Sequence, residues 1–150
     1  MLLVLVVMSG CLDPADRRPG LWLTGELVED RVDEWSFTDE YREIMIETQT
    51  AYWLPHSLTI FCVSLGDRLY VAARHPSTKR WVSNVDRNPD VRLKIGGQLY
   101  ERRLTRVEGG EEREAVYSVY ATKYGWPPTA PEDRPEYRFF EVVDRGPSTP

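Results

Sequence analysis

The sequence predicts one α+β domain made mainly of antiparallel β-structure, closed into a small barrel and accompanied by two or three helices. The 150 residues are the length of one domain, and 41% hydrophobic with 29% charged residues is a globular composition. Two hairpin patterns, at residues 56–73 and 90–107, contain most of the strand-forming residues. Strands do not alternate with helices along the chain, which argues against a parallel dinucleotide-binding fold.

The chain begins with an apolar run over residues 1–11 that ends in Met8-Ser9-Gly10-Cys11. This ending resembles the lipobox of bacterial lipoprotein signal peptides, in which the cysteine is acylated and anchors the protein to the cell envelope. No Lys or Arg precedes the run, and it is short for a secretory signal, so a buried strand in a cytoplasmic protein is the alternative. Residues 12–20 are polar and contain two prolines, which predicts a tether between residues 1–11 and a domain over 21–145.

The first half of the domain is predicted to form strands. Residues 21–28 and 43–50 are strand candidates, although residues 39–45 would also accept a helical turn. Residues 56–64 and 68–73 are β-branched and aromatic runs separated by Leu65-Gly66-Asp67, which predicts a hairpin. Cys62 lies within the first run, where we expect a buried and inert thiol.

A short helix, a second hairpin and a longer helix follow. Residues 77–88 carry apolar side chains at helical spacing, with Ser77 as the expected N-cap, and Asn88-Pro89 ends the helix. Val91, Leu93 and Ile95 alternate with cations over residues 90–95, and Gly96-Gly97 turns the chain into a strand over residues 98–107. Residues 111–124 form a helix that Gly125 stops. A Pro-rich loop over 126–135, a last strand over 137–143 and a loose tail over 146–150 complete the chain.

The charge of the chain is uneven, although its net value is −5. Residues 71–106 contain nine Lys or Arg and three Asp or Glu, a local charge of +6, and the remaining residues carry −11. Arg74, Lys79 and Arg80 gather around the N-terminus of the predicted short helix, where cations are unfavourable unless an anion binds. The cluster therefore indicates either a phosphate site or a solvated basic loop paired with surface carboxylates.

Three short motifs occur in a fixed order over residues 56–107: Ser77-Thr78-Lys79-Arg80, then Asn88-Pro89-Asp90-Val91, then Gly96-Gly97. This stretch resembles the FMN-binding split-barrel superfamily, which contains the pyridoxamine 5′-phosphate oxidase-like and the deazaflavin-dependent nitroreductase-like proteins. The resemblance implies a small antiparallel Greek-key split barrel. It implies FMN as cofactor, with a deazaflavin coenzyme as the alternative.

The resemblance also implies which residues would bind the cofactor. Lys79, Ser77 and Arg80 would hold the flavin phosphate, Arg74 would flank it, and the strand edge at residues 55–59 would face the isoalloxazine ring. The full set implied is His56, Ser57, Leu58, Thr59, Arg74, Ser77, Lys79, Arg80 and Trp81. His56 stands where the family often has an arginine. The last strand lacks the Arg- and Trp-containing ending that pyridoxamine phosphate oxidases use for substrate, which argues against pyridoxal synthesis.

The function expected from this resemblance is that of a flavoprotein oxidoreductase acting on a small-molecule redox substrate, with no catalytic residue assigned. We expect a homodimer with the flavin at the subunit interface. A non-catalytic domain that binds haem, another ligand or a partner protein is the alternative. His56 and His75 are the only histidines, so no catalytic metal is expected. Nucleic-acid binding is disfavoured because aromatic residues are not interleaved with the cations. Trp53 and Trp126 could wall a planar ligand or pack in the protein.

Overall fold

The computed structural model describes residues 13–146. The predicted lipobox with Cys11 lies outside the described residues. The strands are β1 (Glu26–Leu27), β2 (Ile44–Thr48), β3 (His56–Ile60), β4 (Cys62–Leu65), β5 (Arg68–Arg74), β6 (Asp90–Ile95), β7 (Gln98–Arg106) and β8 (Tyr137–Val143). The helices are α1 (Arg80–Arg87) and α2 (Gly110–Tyr124), with 3-10 turns at Ser36–Glu40, Pro76–Thr78 and Pro131–Asp133.

One sheet contains all of these strands, in the order β3-β2-β6-β7-β8-β5-β4, with β1 joined to β7. Every pair is antiparallel except β1 with β7. The last strand, β8, lies between β5 and β7, so the chain returns to the middle of the sheet at its end. This antiparallel half-barrel with two α-helices confirms the predicted fold class.

The first predicted hairpin is only partly correct. The run over residues 56–64 is broken at Phe61 into two strands with different partners: β3 pairs with β2, and β4 pairs with β5. The chain thus passes from one end of the sheet order to the other within one residue, as a sheet curved into a barrel allows. Both halves have strand-like composition, so only the long-range pairing distinguishes them.

The second hairpin is confirmed. In β6, the side chains of Val91, Leu93 and Ile95 are buried and those between them are half-buried, as the alternation predicts. The turn places Gly96 at φ 58° and Gly97 at φ 83°, both in the left-handed region that glycine adopts without strain.

Three local predictions need correction. The strand expected over residues 21–28 is reduced to Glu26–Leu27, and the helical turn allowed at 39–45 lies earlier, at Ser36–Glu40. Helix α1 begins at Arg80 with Lys79 as its N-cap, because Ser77 belongs to the preceding 3-10 turn and caps nothing. Strand β8 and helix α2 match their predicted positions to within one residue.

The sheet packs a core on each of its faces. Inside the barrel, alternate residues of β2, β5, β6 and β8 pack with Trp81, Val82 and Val85 of α1. On the other face, Tyr70 and Phe139 pack against Val116 and Tyr120 of α2. None of the helices in residues 13–146 is long and apolar enough to cross a membrane.

Residues 13–20, predicted as a tether, contact the barrel. The Asp13 carboxylate accepts hydrogen bonds from the backbone N–H and the hydroxyl of Thr24, each at 2.7 Å, and from the Lys94 ammonium on β6. Gly20 exchanges two backbone hydrogen bonds, of 2.8 and 3.0 Å, with Ser57 on β3. The segment between these two contacts therefore lies along the sheet.

Candidate functional site

Two strand edges without a sheet partner border one large cavity. Strand β3 is at one end of the sheet order, and Ser57 uses its outward N–H and C=O to bind Gly20. Because outward-pointing backbone groups alternate along an antiparallel strand, the N–H and C=O of Thr59 face the same open edge. Across the cavity, the pairing of β4 with β5 stops at the pair Cys62–Val71. The last three residues of β5 therefore have no strand on that side. The cavity measures about 990 Å³.

Six of the nine residues that the sequence predicts as cofactor-binding line this cavity. They are His56, Leu58, Thr59, Arg74, Lys79 and Trp81. Ser57, Ser77 and Arg80 are not in the lining: Ser57 is buried in β3, whereas Ser77 and Arg80 are exposed around the start of α1. The end of β5, the 3-10 turn and the start of α1 are consecutive in the chain, which is why the predicted cations occupy one place.

The cations at the cavity differ from those of the second hairpin in their partners. Arg92 lies 3.2 Å from a Glu101 oxygen, and Lys94 is paired with Asp13. By contrast, the side chains of Arg74, Lys79 and Arg80 make no ion pair or hydrogen bond within residues 13–146. The basic loop is therefore not neutralised by described carboxylates, whereas the hairpin cations are.

His56 lines the cavity, and its surroundings favour the uncharged imidazole. Burial lowers the pKa of His56, and the positive charge of Arg80 lowers it further. Its Nδ1 atom is buried and has no hydrogen-bond partner within the described part of the chain, and the same is true of the Ser57 hydroxyl oxygen. A buried polar atom without a partner is uncommon in folded proteins. Of these two residues, only His56 lines the cavity.

Another part of the lining is aromatic. Trp126 lies with its ring 4.8 Å from that of Tyr137 and 5.4 Å from that of Tyr120, both nearly parallel to it. All three residues line the cavity. Burial raises the pKa of Tyr137, and the charge of Arg74 opposes this shift. Trp53, by contrast, is fully exposed and is not part of the lining.

Several lining residues were not predicted. Pro14, Asp16, Arg17 and Pro19 come from the segment interpreted as a tether, and Tyr137 comes from the last strand. Their sequence carries no ligand-binding motif. They could not be predicted, because only the fold brings these distant parts of the chain to one cavity. No group of three His, Cys, Asp or Glu suited to a metal ion occurs within residues 13–146.

Known structures share the fold of this chain, although no family model and no curated protein sequence matches it. A conserved hypothetical protein of Mycobacterium tuberculosis aligns over 79% of this chain and 87% of its own, with a TM-score of 0.61 and 16% identity. A Listeria innocua protein described as "Putative Pyridoxamine 5'-phosphate oxidase" aligns over 70% and 85%, with a TM-score of 0.56 and 16% identity. The chain has the pyridoxamine 5′-phosphate oxidase-like split-barrel fold.

Other solved structures with this fold have names that mention different ligands. An F420-H2 dependent reductase aligns over 68% of this chain and 94% of its own, with a TM-score of 0.51 and 22% identity. A FAD-binding protein of Mesorhizobium loti and the heme storage protein of Vibrio cholerae align with TM-scores of 0.51 and 0.54 and 14% identity each. A further match, at 21% identity, is described as a domain-swapped dimer. At these identities the similarity establishes the split barrel alone.

Proposed function

We propose that this split barrel binds FMN in the cavity and acts as an oxidoreductase on a small-molecule substrate. The observation that carries the proposal is a group of three cations without a carboxylate partner in residues 13–146: Arg74 and Lys79 line the cavity, and Arg80 follows at the start of α1. Cations left unpaired around the first turn of a helix are suited to a phosphate monoester, since the helix N-terminus adds free N–H donors. A flavin mononucleotide carries one such phosphate.

The strand edge fits the other end of the same cofactor. The outward N–H and C=O of Thr59 offer one donor and one acceptor in the plane of β3, a pattern that matches the polar edge of an isoalloxazine ring. Leu58 and Trp81 supply apolar surface beside it. The lowered pKa of His56 favours an uncharged imidazole, which can accept a hydrogen bond, whereas an arginine at this position could only donate.

A bound flavin would itself supply the transfer of electrons to or from the substrate, so the protein need not provide an acid or base. The chain's own residues would bind the phosphate, fix the ring against β3 and exclude water from one side of the cavity. A deazaflavin coenzyme is the alternative, since it also carries a phosphate that the same cations would bind.

The test is cofactor retention. The full-length protein is mixed with FMN, with the deazaflavin coenzyme or with haem, passed through gel filtration, and examined by absorption spectroscopy. Retained flavin absorbance with a dissociation constant in the micromolar range or below supports the proposal. Retention of neither flavin would overturn it.

Haem binding is the second candidate, because His56 lines the cavity and its lowered pKa favours the neutral imidazole. Neutral imidazole is a common axial ligand of haem iron. Retained haem whose Soret band shifts on His56→Ala replacement would favour this candidate over the flavin. An unchanged spectrum in His56→Ala would exclude His56 as the ligand.

We further propose a homodimer. Tyr52, Trp53 and Leu54 are exposed by 83%, 101% and 53% at the tip of the loop before β3, an apolar surface that association would cover. Light scattering of the purified protein tests this directly. A monomeric mass at all accessible concentrations would refute the proposal.

A further inference from the structure

Residues 13–20 form an outer wall of the cavity. Pro14, Asp16, Arg17 and Pro19 all line it, and the segment meets the edge of β3 where Gly20 pairs with Ser57. The segment is held at one end by the Asp13 carboxylate and at the other by the backbone pairing of Gly20 with Ser57. A wall fixed at both ends keeps its position without a ligand, so its middle can present side chains to the cavity.

The middle of this wall is a tight turn with an unusual backbone. The Arg18 N–H donates to the Ala15 carbonyl at 2.8 Å, and the two residues between them, Asp16 and Arg17, have φ values of 48° and 64°. Left-handed backbone at two successive residues other than glycine is unfavourable and persists where surrounding contacts impose it. The turn lies between the contacts at Asp13 and Gly20, and it carries Arg17 at the cavity.

The charge of Arg17 is not compensated by its neighbours. Its guanidinium makes no ion pair within the described part of the chain, not even with the adjacent Asp16, and Asp13 already pairs with Lys94. Arg17 and Lys79 line the same cavity, although they come from segments more than sixty residues apart. Uncompensated cations on two walls of one cavity favour an anionic ligand between them.

From this geometry we infer that Arg17 is a ligand-binding residue that contacts the phosphate-bearing part of the cofactor from the outer wall. The inference rests on the proposed function, because it takes the ligand to be a phosphorylated flavin. Arg18 is the matched control. It has the same charge, lies next to Arg17 on the same exposed turn, and is not in the lining.

The experiment measures dissociation constants of FMN and of riboflavin, which lacks the phosphate, for the wild type, Arg17→Ala and Arg18→Ala. Arg17→Ala should weaken FMN binding by about fivefold, the effect of one partly exposed ion pair, and Arg18→Ala by less than about twofold. Riboflavin affinity should be the same in all three proteins. Added salt should reduce the difference between wild type and Arg17→Ala.

Limited proteolysis gives a second readout that needs no turnover. Trypsin cleaves after Arg17, whereas Pro19 protects the bond after Arg18, so cleavage within this turn reports on Arg17. Bound FMN should slow this cleavage, and an unchanged rate would count against the contact. Equal FMN affinities for the two variants, together with a loss in Lys79→Ala, overturn the role of Arg17 and leave the proposed function standing. Failure of the wild type to bind FMN overturns both.

Discussion

Replacing Lys79 by alanine is the sharpest test of the phosphate site. Lys79 is exposed, is the N-cap of α1 and makes no side-chain cap hydrogen bond, so its ammonium group can be removed without breaking a contact of the fold. A hydrogen bond to a charged group contributes about 1.5–3 kcal/mol. Because the site is open to solvent, the lower part of this range applies, which corresponds to roughly a tenfold to thirtyfold loss of FMN affinity.

The assay compares FMN and riboflavin binding, followed by flavin fluorescence, in wild type, Lys79→Ala and Arg138→Ala. Arg138 is the control because it lies on β8 and is already paired with Asp86, with an N–O distance of 3.0 Å. Only Lys79→Ala should lose FMN affinity, and riboflavin should not distinguish the three proteins. Thermal unfolding without ligand checks that the variants are folded. Equal FMN affinity in Lys79→Ala and wild type would refute the placement of the phosphate at α1.

Four further predictions concern stability and location. Tyr120→Phe should lower the free energy of unfolding by about 1–2 kcal/mol in urea titrations, because the buried Tyr120 hydroxyl donates to the Phe61 carbonyl at 3.0 Å; an unchanged midpoint would contradict this. Burial raises the pKa of Asp13, but its hydrogen bonds to a lysine and a threonine outweigh this and lower the pKa below 3.8. The free energy of unfolding should therefore be higher for wild type than for Asp13→Asn above about pH 4. This difference should vanish as the carboxylate is protonated at lower pH. Burial raises the pKa of Cys62 to about 11, so in a Cys11→Ala variant its thiol should react with a disulfide reagent only after unfolding, and fast native labelling would disprove this. If Cys11 is lipidated, Cys11→Ala should move the protein from the membrane fraction to the soluble fraction, and retention in the membrane fraction would exclude that anchor.

Features that depend on neighbouring residues could be predicted from the sequence. The alternation of Val91, Leu93 and Ile95 and the paired glycines define the second hairpin, because its register follows from the turn between its strands. The cations at the start of α1 are close in the chain, so they are close in space whatever the rest of the fold does. The order of these local motifs was enough to indicate the split barrel.

Features that depend on distant contacts could not be predicted. Residues 13–20 are polar and rich in proline, which is typical of a linker, yet their position is fixed by Thr24, Lys94 and Ser57. None of these partners is recognisable from the segment itself. The contribution of Arg17 to the cavity was missed for the same reason, since it results from pairing that spans most of the domain.

The break in the first predicted hairpin and the cavity have one structural origin. Had residues 56–64 paired as a single strand with residues 68–73, the open edge of β3 and the end of β5 would have bonded to each other. The break at Phe61 instead sends β3 to β2 and β4 to β5, and leaves these two edges unpaired on either side of the cavity. Backbone N–H and C=O groups left free in this way must bind water or a ligand. The same break therefore opens the barrel and supplies the polar edge on which the proposed flavin would lie.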